Sequence, residues 1–162
     1  MTAPVMEAVS ARSLVDPAFF ARLSRRVAKN SGLDQEMAER TTDQALAYLA
    51  TCAQKPEGAA SLFMSSAVDP AWHSFMEYTR PYDDFFAGHG WRKVHHNPCD
   101  GGPDGKQVYP PAAEVLPLTV AAIEAAGYRV DPDLWVAGVD CEDTCGDDGG
   151  GGNPLPSCEH SI

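Results

Sequence analysis

Val68-Asp69-Pro70-Ala71-Trp72-His73, answered a helix and a turn later by Val94-His95-His96-Asn97-Pro98, is the stretch from which both the fold and the chemistry of this chain are read. Asp-Pro opens helices. An aspartate at the N-cap accepts hydrogen bonds from the unpaired N–H groups of the first turn, and a proline at N1 has its φ preset and lacks only an N–H that had no partner there. This reading makes Asp69 the N-cap, Pro70 N1 and His73 N4, one turn from Asp69 on the same helix face. N4 normally carries an apolar residue packed on N′, here Val68, and a histidine stands in its place. Trp72, Phe75, Met76 and Thr79 supply a buried face for this central helix. Pro81 is expected to kink or end it, since proline removes an internal hydrogen bond and crowds the preceding turn.

Working outward, Asp16-Pro17 opens a first helix by the same N-cap logic, with Phe20, Leu23 and Val27 at helical spacing. Asn30 to Gly32 ends it. A second helix is expected from about Asp34 to Ala53, with Ser31 and Asp34 in the positions of a capping box. Its apolar face is Met37, Thr41, Ala45, Tyr48, Leu49 and Cys52, which makes Cys52 a buried small side chain. Leu62-Phe63-Met64 is an apolar anchor ahead of the central helix. Beyond it, Tyr82, Phe85 and Phe86 continue the apolar pattern, and His89 falls in a turn between Gly88 and Gly90. Residues 99–111 form a Gly/Pro-dense loop. A last helix begins at Ala112 or Pro117 and runs to Ala126 on a stripe of Leu116, Val120 and Ile123, with Gly127 as its C′ stop. A third Asp-Pro, at 131–132, opens a short turn carrying Leu134 and Trp135. The expectation is a mainly α fold: a flexible N-terminus (1–15), a small domain of four to five helices (16–137) and an irregular, acidic Gly/Cys-rich tail (138–162).

Charge is divided along the chain. From Asp131 onward there are eight acidic residues and no Lys or Arg, so residues 1–130 carry only −3 of the net −11. No basic footprint for phosphates is present, which argues against nucleic acid as a partner. Met1 to Val15 has no apolar signal-peptide core and no run is long enough to span a bilayer, so a cytoplasmic protein is the expectation. Five cysteines in a reducing compartment read as thiols or ligands rather than as a disulfide framework.

The chemistry rests on imidazoles. Asp69 and His73 stand at i and i+4, and Glu77 extends the row by one more turn; ligands at such spacing can share an ion. A third ligand must come from His95 or His96. Adjacent residues of an extended segment face opposite ways, so only one of the two is expected to reach the ion. Two imidazoles and a carboxylate make a site with open positions, suited to zinc or iron as a divalent transition metal. Asp69 is alternatively an orienting partner that accepts the His73 N–H and fixes its tautomer. In the tail, Cys141, Cys145, Cys158 and His160 offer three thiolates and an imidazole to a second site, and Cys99 is a further candidate ligand.

Val68-Asp69-x-x-Trp72-His73, Tyr82-x-x-Phe85 and Val94-His95-His96-x-Pro98, taken in order, resemble the glycine-rich domain-containing protein-like family, found in plant proteins with glycine-rich tails and in short bacterial proteins. The likeness covers roughly residues 14–136. It implies a mainly helical domain, carries no established activity, and places the family's motif on Asp69, Trp72, His73, His95 and His96. Pro81 departs from the pattern. Three readings of function follow from the residues: an intracellular metal-binding protein, a metal-dependent hydrolytic or oxidative enzyme acting on a small molecule or peptide, and a carrier or precursor whose Cys-rich tail is modified by a partner enzyme or exchanges metal with a donor.

Overall fold

The computed structural model describes residues 7–96 and 111–137, and the backbone of 158–160. Asp16 caps as its sequence demands, accepting hydrogen bonds from the Ala18 and Phe19 N–H groups through one carboxylate oxygen, and α1 (Pro17–Ser31) follows and closes on Gly32 at φ 67°. Helix α2 (Gln35–Gln54) starts from its own cap, Asp34, which accepts from the Met37 N–H. Ser31 therefore takes no part in a capping box; it is the last residue of α1.

Helix α2 is the axis of the fold. Every residue from Gln44 to Ala53 is buried, because α2 packs against α1, the following helix α3 (Asp69–Met76) and the last helix α5 (Ala112–Ala125) on different sides. A single apolar stripe on α2 understates this, and the helix centred on Trp72 packs against that axis. The runs of Ala and Thr that weaken the hydrophobic pattern are what permit close approach from several directions. Cys52 is fully buried within it.

Gln44 is a buried polar side chain of this core, only 2% exposed, and all of its hydrogen-bonding capacity is used, one amide hydrogen going to the Asp43 carboxylate. Its amide nitrogen donates to the Arg129 carbonyl at 3.0 Å, while its oxygen accepts from the Asp131 N–H at 3.0 Å and the Trp135 indole at 2.8 Å. Gln44→Leu removes the partner of two buried donors at once. It is expected to lower stability by about 2–3 kcal/mol, seen as a reduced urea midpoint with unchanged slope.

Pro81 ends the helix rather than kinking it. Helix α3 stops at Met76, and α4 (Thr79–His89) begins afresh with Pro81 in its first turn, where no N–H is required. Thr79 opens α4 and is exposed, so it does not extend the buried face of α3. Tyr82, Phe85 and Phe86 are buried as expected. His89 is the last residue of α4 rather than a loop residue; its ring contacts the Phe85 carbonyl at 2.7 Å and stacks on Trp91. Helix α5 starts at Ala112 and carries Pro117 inside it. Its end is a Schellman motif, with Gly127 at φ 88°, the Gly127 N–H on the Glu124 carbonyl and the Tyr128 N–H on the Ile123 carbonyl.

Residues 9–15, expected to be a flexible leader, are fastened to the body. Val9 bridges Tyr128 in parallel, Ser10 hydrogen-bonds Asp43, and Arg12 pairs with Glu39 at 3.1 Å. The short 3-10 turn Ala11–Leu14 places Ala11 in the core. At the other end, strand β1 (Val94–His96) pairs antiparallel with β2 (Cys158–His160), setting Val94 opposite His160, His95 opposite Glu159 and His96 opposite Cys158. A strand within 138–162 was not anticipated. The Gly/Pro loop, Cys99, Cys141 and Cys145 lie outside the described residues. No helix among the described residues is long and apolar enough to cross a membrane.

Candidate metal centre

Asp69 does not cap α3. It is the first residue of that helix, Pro70 is the second, and Val68 at the N-cap position makes no side-chain cap. The turn leading in is held by Ser65, whose carbonyl accepts from the Val68 and Asp69 N–H groups and whose hydroxyl accepts from Val68. The same hydroxyl donates to the Leu134 carbonyl at 2.5 Å. Freed from capping, the Asp69 carboxylate turns along the helix, and its Oδ2 lies 3.2 Å from Nε2 of His73 at i+4.

Across from this pair stands His96. Its ring centroid is 4.5 Å from that of His73 and 4.8 Å from that of Trp72. The two imidazole-bearing segments converge because a buried relay ties them: the Trp72 indole donates to the Tyr82 hydroxyl at 2.9 Å, and that hydroxyl donates to the Val94 carbonyl at 2.7 Å. One hydrogen-bonded chain thus links α3, α4 and β1, and it places His96 two residues along the strand from its anchor. Burial also pushes the Tyr82 hydroxyl pKa well above the ordinary phenol value, which keeps it a neutral donor.

Asp69, His73 and His96 each offer a donor atom, and these atoms all lie within 4.8 Å of one another. Two ligands bonded at about 2.0–2.1 Å to one tetrahedral ion stand roughly 3.3 Å apart, so the Asp69–His73 spacing already fits and His96 needs a small adjustment. Two atoms of the cluster, Asp69 Oδ1 and His96 Nε2, are buried without a hydrogen-bond partner among the described residues. Buried polar atoms are rarely left so, and a cation would satisfy both.

Not every candidate joins. His95 is exposed on the other face of β1 and outside the cluster, so of the His-His pair only His96 joins it. Glu77 accepts from Arg26 at 2.5 Å and from Asn30 at 3.0 Å, an ion pair that fastens α1 to the end of α3. Trp72 carries no ligand atom; it is fully buried and positions the others. Ser65 and Tyr82 escaped the sequence reading as site residues. A serine three residues before Val68 was the local signal for the turn that leads into α3.

Charge in the cluster is uneven. The Asp69 carboxylate, hydrogen-bonded to the His73 ring, holds that imidazole's pKa above its ordinary value of 6.5 despite partial burial. Burial lowers the pKa of His96, and the neighbouring His73 lowers it further, against a smaller opposing pull from Asp69. A raised histidine pKa stabilises the fold at low pH, and the benefit is lost as pH climbs through that pKa; a lowered one costs stability as pH drops below the unfolded value. The contribution of these two histidines to stability is therefore expected to peak near the ordinary value of 6.5 and decline on both sides. Both effects are modest, since the His73 side chain is 52% exposed and screened by solvent. Denaturation midpoints taken from about pH 5 to about pH 8 check this. Asp69→Asn is expected to remove the alkaline decline and keep the acid one.

No family model, no curated protein and no solved structure matches the chain. Function is consequently read from the site's own geometry.

Proposed function

We propose that this chain is a small metal-binding protein in which His73, His96 and Asp69 hold one divalent transition ion, zinc or iron. The observation that carries the reading is the pair of orphaned buried atoms, Asp69 Oδ1 and His96 Nε2, inside a cluster of mutually close donors. His73 Nε2 stands 3.2 Å from Asp69 Oδ2; an ion held there would compete with a proton for the ring nitrogen, so binding is expected to weaken as pH falls. The donor set, two imidazoles and a carboxylate, suits both metals.

The test is elemental analysis of protein purified without an affinity tag. About one equivalent of zinc or iron is expected in wild type and in His95→Ala, and little in His73→Ala or His96→Ala. Equal metal in all four proteins, or none in wild type, would refute the assignment. The exposure of His73 favours a second reading, in which an open coordination position admits water or a small substrate for a hydrolytic or oxidative reaction.

A further inference from the structure

Helix α1 carries four cations and no anion, in a chain whose net charge is −11. Arg22, Arg25, Arg26 and Lys29 recur at the i, i+3, i+4, i+7 spacing that puts them on one face of the helix. The opposite face, with Phe20, Leu23 and Val27, is buried. With 23 acidic residues against 12 basic ones, a cation of this protein has no shortage of carboxylates. Arg12 takes Glu39, and Arg40 takes Asp131 and Asp133. On the α1 face only Arg26 is matched, with Glu77, and 41% of its side chain stays in solvent. Arg22, Arg25 and Lys29 are exposed and reach no carboxylate among the described residues. Arg22 is nevertheless held in place. Its guanidinium stands 5.2 Å from the Phe19 ring and 5.2 Å from the Tyr78 ring, and those rings meet edge to face at 5.6 Å. A guanidinium fixed against aromatic rings loses less rotamer freedom when it binds.

We propose that this face of α1 is a docking surface for an acidic peptide segment of a partner protein, whose carboxylates take Arg22, Arg25 and Lys29. Arginine presents a planar fork that matches a carboxylate with two parallel hydrogen bonds, and Arg22 is already oriented for it. From Arg22 to Lys29 the stripe covers about 10 Å of helix at about 1.5 Å per residue, a length spanned by about three or four residues of extended peptide. This is comparable with the screening length of about 8 Å at physiological salt. A short segment stays within the positive stripe. An extended polyanion passes beyond it into the field of a chain carrying −11, which disfavours nucleic acid and an anionic membrane. The face also lacks side chains to enter a bilayer: the exposed large hydrophobics among the described residues are Val9, Leu118 and Val136, none of them on α1. No residue of the metal centre takes part, so the surface is independent of the metal reading.

The probe is a fluorescein-labelled peptide of alternating glutamate and serine, about eight residues long, titrated with the full chain at low salt and followed by anisotropy. Saturable binding to wild type is expected, weakening steeply as salt is raised. Arg22→Gln and Arg25→Gln are each expected to weaken it about two- to five-fold, and the Arg22→Gln/Arg25→Gln/Lys29→Gln variant to abolish it. Arg22→Lys keeps the charge without the fork and is expected to fall between wild type and Arg22→Gln. Arg129→Gln makes the same change of charge elsewhere, at a residue whose N–H bonds the Val9 carbonyl, and is expected to bind as wild type does. Arg25 and Lys29 have no carboxylate to lose, so Arg25→Gln/Lys29→Gln should melt at the wild-type temperature, which separates lost binding from lost folding. No binding at low salt, undiminished binding by the triple variant, or an equal loss in Arg129→Gln overturns the proposal. So does tighter binding, through the same three residues, of phosphatidylserine vesicles or of a single-stranded oligonucleotide of matching charge.

Discussion

Trp72→Ala is expected to destabilise the protein by about 3–5 kcal/mol, among the largest effects a single substitution can have in a fold whose whole stability is about 5–15 kcal/mol. The indole is fully buried, with its ring 5.7 Å from that of Tyr48 on the axial helix and 4.8 Å from that of His96. Truncation opens a cavity between α2 and α3 and removes the donor to Tyr82. Trp72→Phe separates the two contributions. It keeps much of the volume but leaves the Tyr82 hydroxyl with its acceptor lone pairs unused, which is expected to cost about 1–3 kcal/mol. Urea denaturation of the two variants checks both figures. Metal affinity offers a further readout: Trp72→Phe is expected to weaken binding about 10–100-fold, as for other residues that orient ligands without bonding to the ion. A side chain that served only to fill the core would leave affinity unchanged in the folded variant.

The second large effect is on metal affinity itself. His73→Ala and His96→Ala are each expected to weaken zinc binding by more than the roughly 100-fold limit for an orienting residue, and the double variant by little more than either single one. Two ligands of one ion form a unit, so their losses do not add. Competition titration against a chromophoric chelator measures all three. Additive losses would mean that the two imidazoles serve separate ions. Stability should follow the same pattern: zinc at about 100 times its Kd stabilises wild type by about 2.7 kcal/mol, and neither single variant should respond at that concentration.

The sequence was legible where local chemistry decides the outcome. Asp16-Pro17, Gly32 and Gly127 mark real helix ends, because capping and left-handed closure are properties of a few adjacent residues. It was misread where long-range partners compete for the same atoms. All three Asp-Pro pairs stand at helix starts, yet only Asp16 caps. Asp69 faces His73, and Asp131 is held by Arg40 in a two-pronged contact at 2.7 and 3.0 Å that keeps its pKa low. No local pattern announces that an aspartate will be claimed by a guanidinium from a helix far back in the chain.

The buried periphery of α2 was similarly hidden. A stripe at helical spacing predicts one buried face, whereas Ala47, Ala50 and Ala53 are small enough for neighbours to close over the others. The convergence of His73 with the His-His pair was legible as residue types and spacing, and strand alternation correctly limited the pair to one participant. Which one was decided by the Val94 carbonyl on the Tyr82 hydroxyl, a contact that fixes the phase of the strand and therefore the face on which His96 emerges. The fastening of residues 9–15 depends on Asp43 and Tyr128, and the leader's own sequence carries no sign of it.

The most direct measurement is X-ray absorption at the metal edge of the full chain loaded with one equivalent of zinc. Two imidazoles should appear as outer-shell ring scattering, together with first-shell nitrogen and oxygen at about 2.0–2.1 Å, and this scattering should be lost in His73→Ala and His96→Ala while His95→Ala leaves it intact. A spectrum without imidazole scattering, or one that His95→Ala changes and His96→Ala does not, would contradict the convergence of these two segments on one ion.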